Sequence, residues 1–324
     1  MAVKTNFSSK NFKDILSNYN LGELVYSNPI TKGTVQTNFL IKTTTNKLVF
    51  RYYENRTTES VLFEINLLNY LQEKKYPCPT PLCNNDGHFI GIYNNKPYVL
   101  FHFIEGEHIE NPTTKQKKQL IRKVAEFHNL TKGYKSDLTQ YRLNYNVEQC
   151  ERLAQESAEK INTLNSQEKL KWYIHQLKQL VLPSSLPKGI CHSDFHFSNV
   201  LFQNDEFKAL IDFDDANYTF LTFDLVCMIE PFKSTFDWDT WEKFSLEDDV
   251  FDFSNAKKVV LEYSQYRPLN ESEKIHLFDL LKFGILIDCI WYFERGNVDD
   301  FFEKRKIDYL NNLGRENFTK ELFG

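Results

Sequence analysis

The chain lacks the glycine patterns that usually mark a phosphate-binding turn. Its eleven glycines never fall as G-x-G-x-x-G, and no G-x-x-x-x-G-K-[ST] run occurs, so neither glycine-rich cradle is available. The six cysteines form no C-x-x-C pair and read as reduced thiols. No block of Lys or Arg stands out. The densest cluster, "TKQKKQLIRK", has helical spacing and reads as a solvated face, and the formal net charge is −5. A nucleic-acid partner is therefore not expected. The opening "MAVKTNFSSKNFKDIL" has no apolar signal core, and no run approaches the ~18 apolar residues of a membrane span. The expectation is a cytoplasmic protein with no membrane partner.

What is present is the balance of a globular protein, 41% hydrophobic and 26% charged, in 324 residues. That length suffices for one large domain or two lobes. Residues 1–20 read as a short helix. "ELVYSNPI", "TNFLIKTT" and "KLVFRYY" are β-branched and aromatic runs separated by turns, hence strands. "ESVLFEINLLNYLQEKK" repeats apolar residues at 61, 62, 65, 68 and 71, a helical period. "GHFIGIYNNKPYVLFHFIEG" reads as a hairpin turning at "NNKP". After Gly106 the period is mostly helical, over 113–131, 146–182, 238–266, 271–295 and 300–322. Short extended runs at "GICHSDF", "VLFQ" and "KALIDF" interrupt it. The expected division is a β-rich lobe over 1–103 with one helix, and a mainly helical lobe over 104–324.

The segment Gly189–Ala216, "GICHSDFHFSNVLFQNDEFKALIDFDDA", crowds two histidines, five aspartates and two asparagines between short apolar runs. A zinc reading meets an obstacle at once. His192 and His196 are four apart, but Ser193 stands where H-E-x-x-H has Glu, and strand-like flanks replace the helix that would align two ligands. Lone acids commonly cap helices or close turns, which suits Asp205 and Asp215. Capping does not explain why Asp194, Asn199 and Asp212 bracket a hairpin with "VLF" and "LIDF" as its arms. Phosphoryl transfer does. It needs a carboxylate for the attacking hydroxyl's proton and oxygen ligands for Mg²⁺ on the phosphates. In kinases these come as H-x-D-x-x-x-x-N and then a second Asp after a short hairpin. His192, Asp194, Asn199 and Asp212 follow that order, and "IDFD" stands where kinases have D-F-G.

With these motifs the chain resembles the aminoglycoside phosphotransferase/choline kinase family, which has the protein-kinase-like fold. Within it the sequence is most similar to the type II homoserine kinases, over roughly residues 30–232. "VQTNFLIKTTTNKLVFRYYE", "FEINLLNYLQEKKYPCPTPL", "NNKPYVLFHFIEG", "VAEFHNL", "CHSDFHFSNVLF" and "ALIDFDDANYTFLTFDLV" carry the likeness. It implies an α+β, bilobal fold: an antiparallel N-terminal sheet lobe with one helix and a larger helical C-terminal lobe, with catalytic and metal loops at 190–216. It also implies ATP and Mg²⁺ as cofactors and a small-molecule hydroxyl acceptor.

The resemblance implies a role for each matching residue. Asp194 would orient the acceptor hydroxyl and receive its proton late, since its free pKa of about 4 makes it a weak base. Asn199 and Asp212 would hold the metal. Arg51, where the family often has Lys, would reach the α- and β-phosphates with its fork of donors, and Glu64 would be its ion-pair partner. Gly33 lies in the turn expected to cover the phosphates. His102–Ile104 would form the hinge that pairs adenine through backbone groups, with Phe101 shaping that pocket. His192 and Asp224 would support the loops. Asp214, in place of the usual Gly, would support the metal loop or add a contact to the metal.

Homoserine is the acceptor the resemblance favours. An aminoglycoside or choline-like kinase, a bacterial Ser/Thr protein kinase, and a catalytically silent binding module are the alternatives. Residues 138–177 form the region expected to select the acceptor. Glu230, Asp237, Asp239, Asp288 and Glu294 would suit a cationic amine.

Overall fold

The computed structural model describes residues 4–31, 35–229, 251–290, 293 and 302–324. The chain divides into two compact units. One comprises 1–112, 135–142 and 197–215; the other comprises 113–134, 143–196 and 216–324. The division passes between His196 and Phe197, within the H-x-D-x-x-x-x-N segment.

The first unit is built on a five-stranded antiparallel sheet of order β1-β2-β3-β5-β4, with β1 Leu24–Ile30, β2 Thr37–Thr43, β3 Lys47–Tyr52, β4 Ile90–Tyr93 and β5 Lys96–His102. Alternation in β3 sends Leu48, Phe50 and Tyr52 to one face and leaves Val49 and Arg51 on the other. The first face packs with Phe39, Ile41, Tyr98 and Leu100 against helix α1, Ser9–Leu16, through Phe12, Ile15 and Leu16. Ser8 and Asn11 close a capping box at the start of α1. The β4–β5 turn uses Asn94 and Asn95, both left-handed at φ +47° and +62°, as a two-residue hairpin requires.

Helix α2, Thr58–Glu73, starts at the cap Thr57. It buries Val61, Ile65, Leu68 and Leu71, as the period predicts. Leu62 departs from the expected stripe and is 37% exposed, while Phe63 and Glu64 are buried in its place. A helix buried on more than one side escapes a one-stripe reading. A hairpin of β7, Val200–Gln203, and β8, Glu206–Leu210, completes the unit. Glu107 and Phe202 exchange backbone hydrogen bonds of 2.9 Å, pinning this hairpin beside the exit from β5. Gly106 permits that approach, because a Cβ there would lie 3.1 Å from both Leu201 Cβ and the Phe202 carbonyl oxygen.

The second unit is mainly helical: α3 Thr114–Thr131, α4 Val147–Ile161, α5 Leu164–Gln179, α6 Phe223–Ile229, α7 Phe253–Tyr266, α8 Glu271–Ile290 and α9 Phe302–Phe323. The helical run expected over 146–182 divides where Asn162 turns left-handed, φ +52°, and Thr163 caps the next helix. Helix α9 breaks similarly at Gly314, φ +75°. One two-stranded antiparallel sheet joins β6, Lys188–Cys191, to β9, Asn217–Phe220. Neither β9 nor α6 was expected from the sequence; both are too short to show a period. Among the described residues no helix is long and apolar enough to cross a membrane.

Candidate active site

In the first unit, strand pairing brings Asn199 and the Asp212 turn together. Val200 pairs with Leu210, and the Ile211 amide donates to the Asn199 carbonyl at 2.9 Å. The hairpin thus closes with Asn199 opposite the residue before Asp212. Asp212 has φ +66°, a left-handed conformation that a non-glycine residue holds only when its surroundings enforce it.

Arg51 projects from the sheet face opposite α1. Its Nη2 lies 2.5 Å from Asp212 Oδ1 and its Nη1 lies 3.8 Å from Glu64 Oε1. Burial opposes the charge on Arg51, but Asp212, Tyr53 and Glu64 together hold its pKa above the ordinary guanidinium value. Glu64 is also met by the Tyr53 hydroxyl at 3.1 Å. Burial pushes the Glu64 carboxyl up to about 7, with Arg51 pulling the other way. Strand register sets Val49 beside Phe101 and Arg51 beside Val99, so Phe101 shares Arg51's face of the sheet. The amides of His102 and Phe103 donate to the carbonyls of Thr80 and Lys47 at 3.0 and 3.1 Å. Gly33 falls outside the described residues.

Asp214 is buried and its carboxylate is held on both sides. Arg56 Nε donates to Oδ1 at 2.9 Å, while Arg56 Nη2 and Gln36 Nε2 donate to Oδ2 at 3.2 and 2.8 Å. Burial alone would raise this carboxyl; Arg51 and then Arg56 keep it below the usual range. These contacts support the loop and leave Asp214 turned to cations of its own chain. The same Arg56 Nη2 reaches Asp215 Oδ1 at 2.7 Å.

In the second unit, the loop that follows β6 hangs from one carboxylate. Asp224 Oδ2 accepts from the His192 amide at 2.9 Å, and its Oδ1 accepts from the Ser193 amide at 2.8 Å. Asp224 thus accepts a pair of charge-assisted bonds from two consecutive amides. His128 on α3 meets Asp224 Oδ2 through Nε2 at 2.8 Å and the Tyr263 hydroxyl through Nδ1 at 2.6 Å. Cys191 Sγ lies near both, with the three donor atoms within 4.8 Å of one another. The imidazole nitrogens and the carboxylate are already engaged, so this buried group is a brace. Ser193 is left-handed at φ +67° and is held there by Asp224 and by Asn217 Nδ2 on its hydroxyl, 2.8 Å. Buried His192 packs its ring 4.7 Å from that of Phe195. Asp194 is accessible, and its Oδ1 lies 3.0 Å from His196 Nε2. Of the acids expected to suit a cationic acceptor, Asp288 is exposed on α8, and Glu230, Asp237, Asp239 and Glu294 fall outside the described residues.

Sequence reasoning did not pick out Arg56, Arg142, Gln36, His128 or Asn217. His128 had a faint signal, a histidine on the apolar face of a helix. The others are polar residues in polar segments, and only the fold reveals their partners.

An antiparallel sheet carrying a buried Arg–Glu pair, with the H-x-D-x-x-x-x-N and second-Asp loops, defines a protein-kinase-like phosphotransferase. A family profile matches residues 28–268, and the chain belongs to the Phosphotransferase enzyme family. It is an ATP-dependent phosphotransferase for a small-molecule hydroxyl. It is 27% identical over 316 residues to a homoserine kinase of Agrobacterium fabrum, covering 96% of this chain and 88% of the relative. It is 30% identical over 236 residues to a homoserine kinase of Allorhizobium ampelinum, covering 70% and 71%. In fold it is similar to the amicoumacin kinase hAmiN in complex with AMP-PNP, Ca²⁺ and Ami. That match has TM-score 0.66 and 13% identity, over 98% of this chain and 94% of the other.

Proposed function

We propose that this chain transfers the γ-phosphoryl group of ATP to the side-chain hydroxyl of homoserine, with Mg²⁺ as the metal. The observation that carries the acceptor is the likeness to homoserine kinases along 96% of this chain. The chain's own residues support the chemistry. Arg51 Nε is buried and has no hydrogen-bond partner among the described residues, a donor suited to a phosphate oxygen. The Asp212 carboxylate and the Asn199 amide form an oxygen-only set, which suits a hard divalent cation. When bound, Mg²⁺ supplies positive charge against the β- and γ-phosphates.

Asp194 orients the acceptor hydroxyl and takes its proton. The new oxygen–phosphorus bond forms as the bond to the β-phosphate oxygen breaks, and ADP leaves. A purine held by the hinge falls to Ile104 and the carbonyls of that segment, since the amides of His102 and Phe103 are already spent on Thr80 and Lys47. The test is ADP release with Mg²⁺, ATP and a panel containing homoserine, choline, an aminoglycoside and a Ser/Thr peptide. Homoserine is expected to give the highest kcat/KM. A preference for another member overturns the acceptor, and a flat response across the panel favours a silent binding module.

A further inference from the structure

Asp212 must be enforced in its left-handed conformation, and the residues that enforce it lie on the far side of the turn. The backbone just after it, Phe213–Asp215, forms a single tight turn with the Phe213 side chain buried. Arg142 Nη2 donates to the Phe213 carbonyl at 3.2 Å and also to the Asp214 carbonyl. Arg56 grips the side chains of Asp214 and Asp215. One arginine thus holds the backbone of this turn and another its carboxylates.

The other end of Arg142 is equally informative. Its Nη1 donates to Ser60 O at 3.1 Å and Ser60 Oγ at 3.0 Å, in the first turn of α2. Its guanidinium carbon lies 5.1 Å from the centre of the Phe63 ring. Glu64 follows one residue later, faces Arg51, and Arg51 faces Asp212. The contacts close a ring: Asp212, Arg51, Glu64, α2, Ser60, Arg142, and the turn that begins at Asp212. Every member lies in the first compact unit. Fixed donors at several points of a ring set geometry more tightly than any one of them.

We propose that Arg142 and Arg56 are positioning residues for the metal site, holding Asp212 at the orientation in which its carboxylate takes the cation and coupling that orientation to α2. This rests on the reading of Asp212 as a metal ligand. Residues that orient a ligand without touching the metal are worth about 10- to 100-fold in metal affinity. A merely bracing role would lower the melting temperature and leave metal affinity alone.

The experiment is calorimetric binding of AMP-PNP with and without Mg²⁺, on wild type, Arg142→Met, Arg142→Lys, Arg56→Gln and Asp212→Ala, beside each protein's thermal melt. Arg142→Met and Arg56→Gln are expected to weaken Mg²⁺-dependent binding about 10- to 100-fold, with metal-free binding unchanged. Arg142→Lys, which keeps charge but loses the fork, is expected to fall between them and wild type. Should Arg142→Met fail to fold, Arg142→Lys decides: wild-type Mg²⁺ dependence in it overturns the proposal. A lower melting point with unchanged Mg²⁺ dependence in both arginine variants overturns it too. Loss of Mg²⁺ dependence in Asp212→Ala alone means the metal reading holds and the positioning claim fails. Retention of it in Asp212→Ala removes the metal reading itself.

Discussion

At the scale of single residues, Asp194 and Glu64 make opposite demands on charge. In the proposed transfer Asp194 must be a reachable anion, and it stands half-buried beside the exposed His196. Asp194→Asn keeps the shape and removes the proton acceptor. Turnover is expected to fall by about 10²- to 10⁴-fold while the affinity for nucleotide with Mg²⁺ stays at the wild-type value. Steady-state kinetics with calorimetry checks both halves, and near-normal turnover would remove Asp194 from its role.

Glu64 is buried, with its carboxyl raised to about 7 against an ordinary value near 4.5. Between those values the unfolded chain releases this proton while the folded chain keeps it. The Glu64 contribution is therefore fully present below about 4.5 and is lost as pH rises through about 7. Glu64→Gln cannot titrate. Urea midpoints of the variant and wild type, measured from pH 5 to pH 8, are expected to show wild type losing ground to the variant as pH rises. Parallel curves would contradict the burial argument.

At the scale of elements, the loop between β6 and β7 depends on one short helix, because Asp224 at the start of α6 accepts both His192 and Ser193 amides. Asp224→Asn turns an NH₂ toward a donor. It is expected to cost about 2–4 kcal/mol of stability, read as a urea midpoint shift, together with most of the activity. In the sheet, β4 and β5 approach closely at Gly91, where a Cβ would lie 2.0 Å from Tyr98 Cζ. Gly91→Ala must displace a buried ring, and a loss of about 1–3 kcal/mol is expected.

These elements also mark what the sequence disclosed. Strands β1 to β5 and helix α2 were legible because alternation and the 3.6-residue period are local properties. The order Asp194, Asn199, Asp212 was legible because one loop and one hairpin fix its spacing. Strand β9 and helix α6 were too short to show a period. Arg56 and Arg142 were invisible for a different reason. Arg56 meets Asp214 across 158 residues and Arg142 meets Ser60 across 82. No local pattern separates an arginine with such a partner from one in solvent.

At the scale of the whole molecule, the residues named in the proposed function are distributed over both compact units. Arg51, Glu64, Asn199 and Asp212 belong to the first unit, and Asp194 with its Asp224 support belongs to the second. In the proposed reaction, nucleotide and metal binding are assigned to residues of the first unit and proton acceptance to Asp194 of the second. Substitutions in the first are expected to change Mg²⁺-dependent nucleotide affinity, and substitutions around Asp194 to change turnover without it.

Phosphorus-31 NMR of the products tests phosphoryl transfer to a hydroxyl most directly, using wild type and Asp194→Asn with Mg²⁺, ATP and homoserine. The account requires a new phosphate-monoester signal, growing in step with ADP, in the wild-type reaction, and growth of that signal at least about 10²-fold slower with Asp194→Asn. ADP accompanied only by inorganic phosphate, or an equal monoester signal from both proteins, would contradict it.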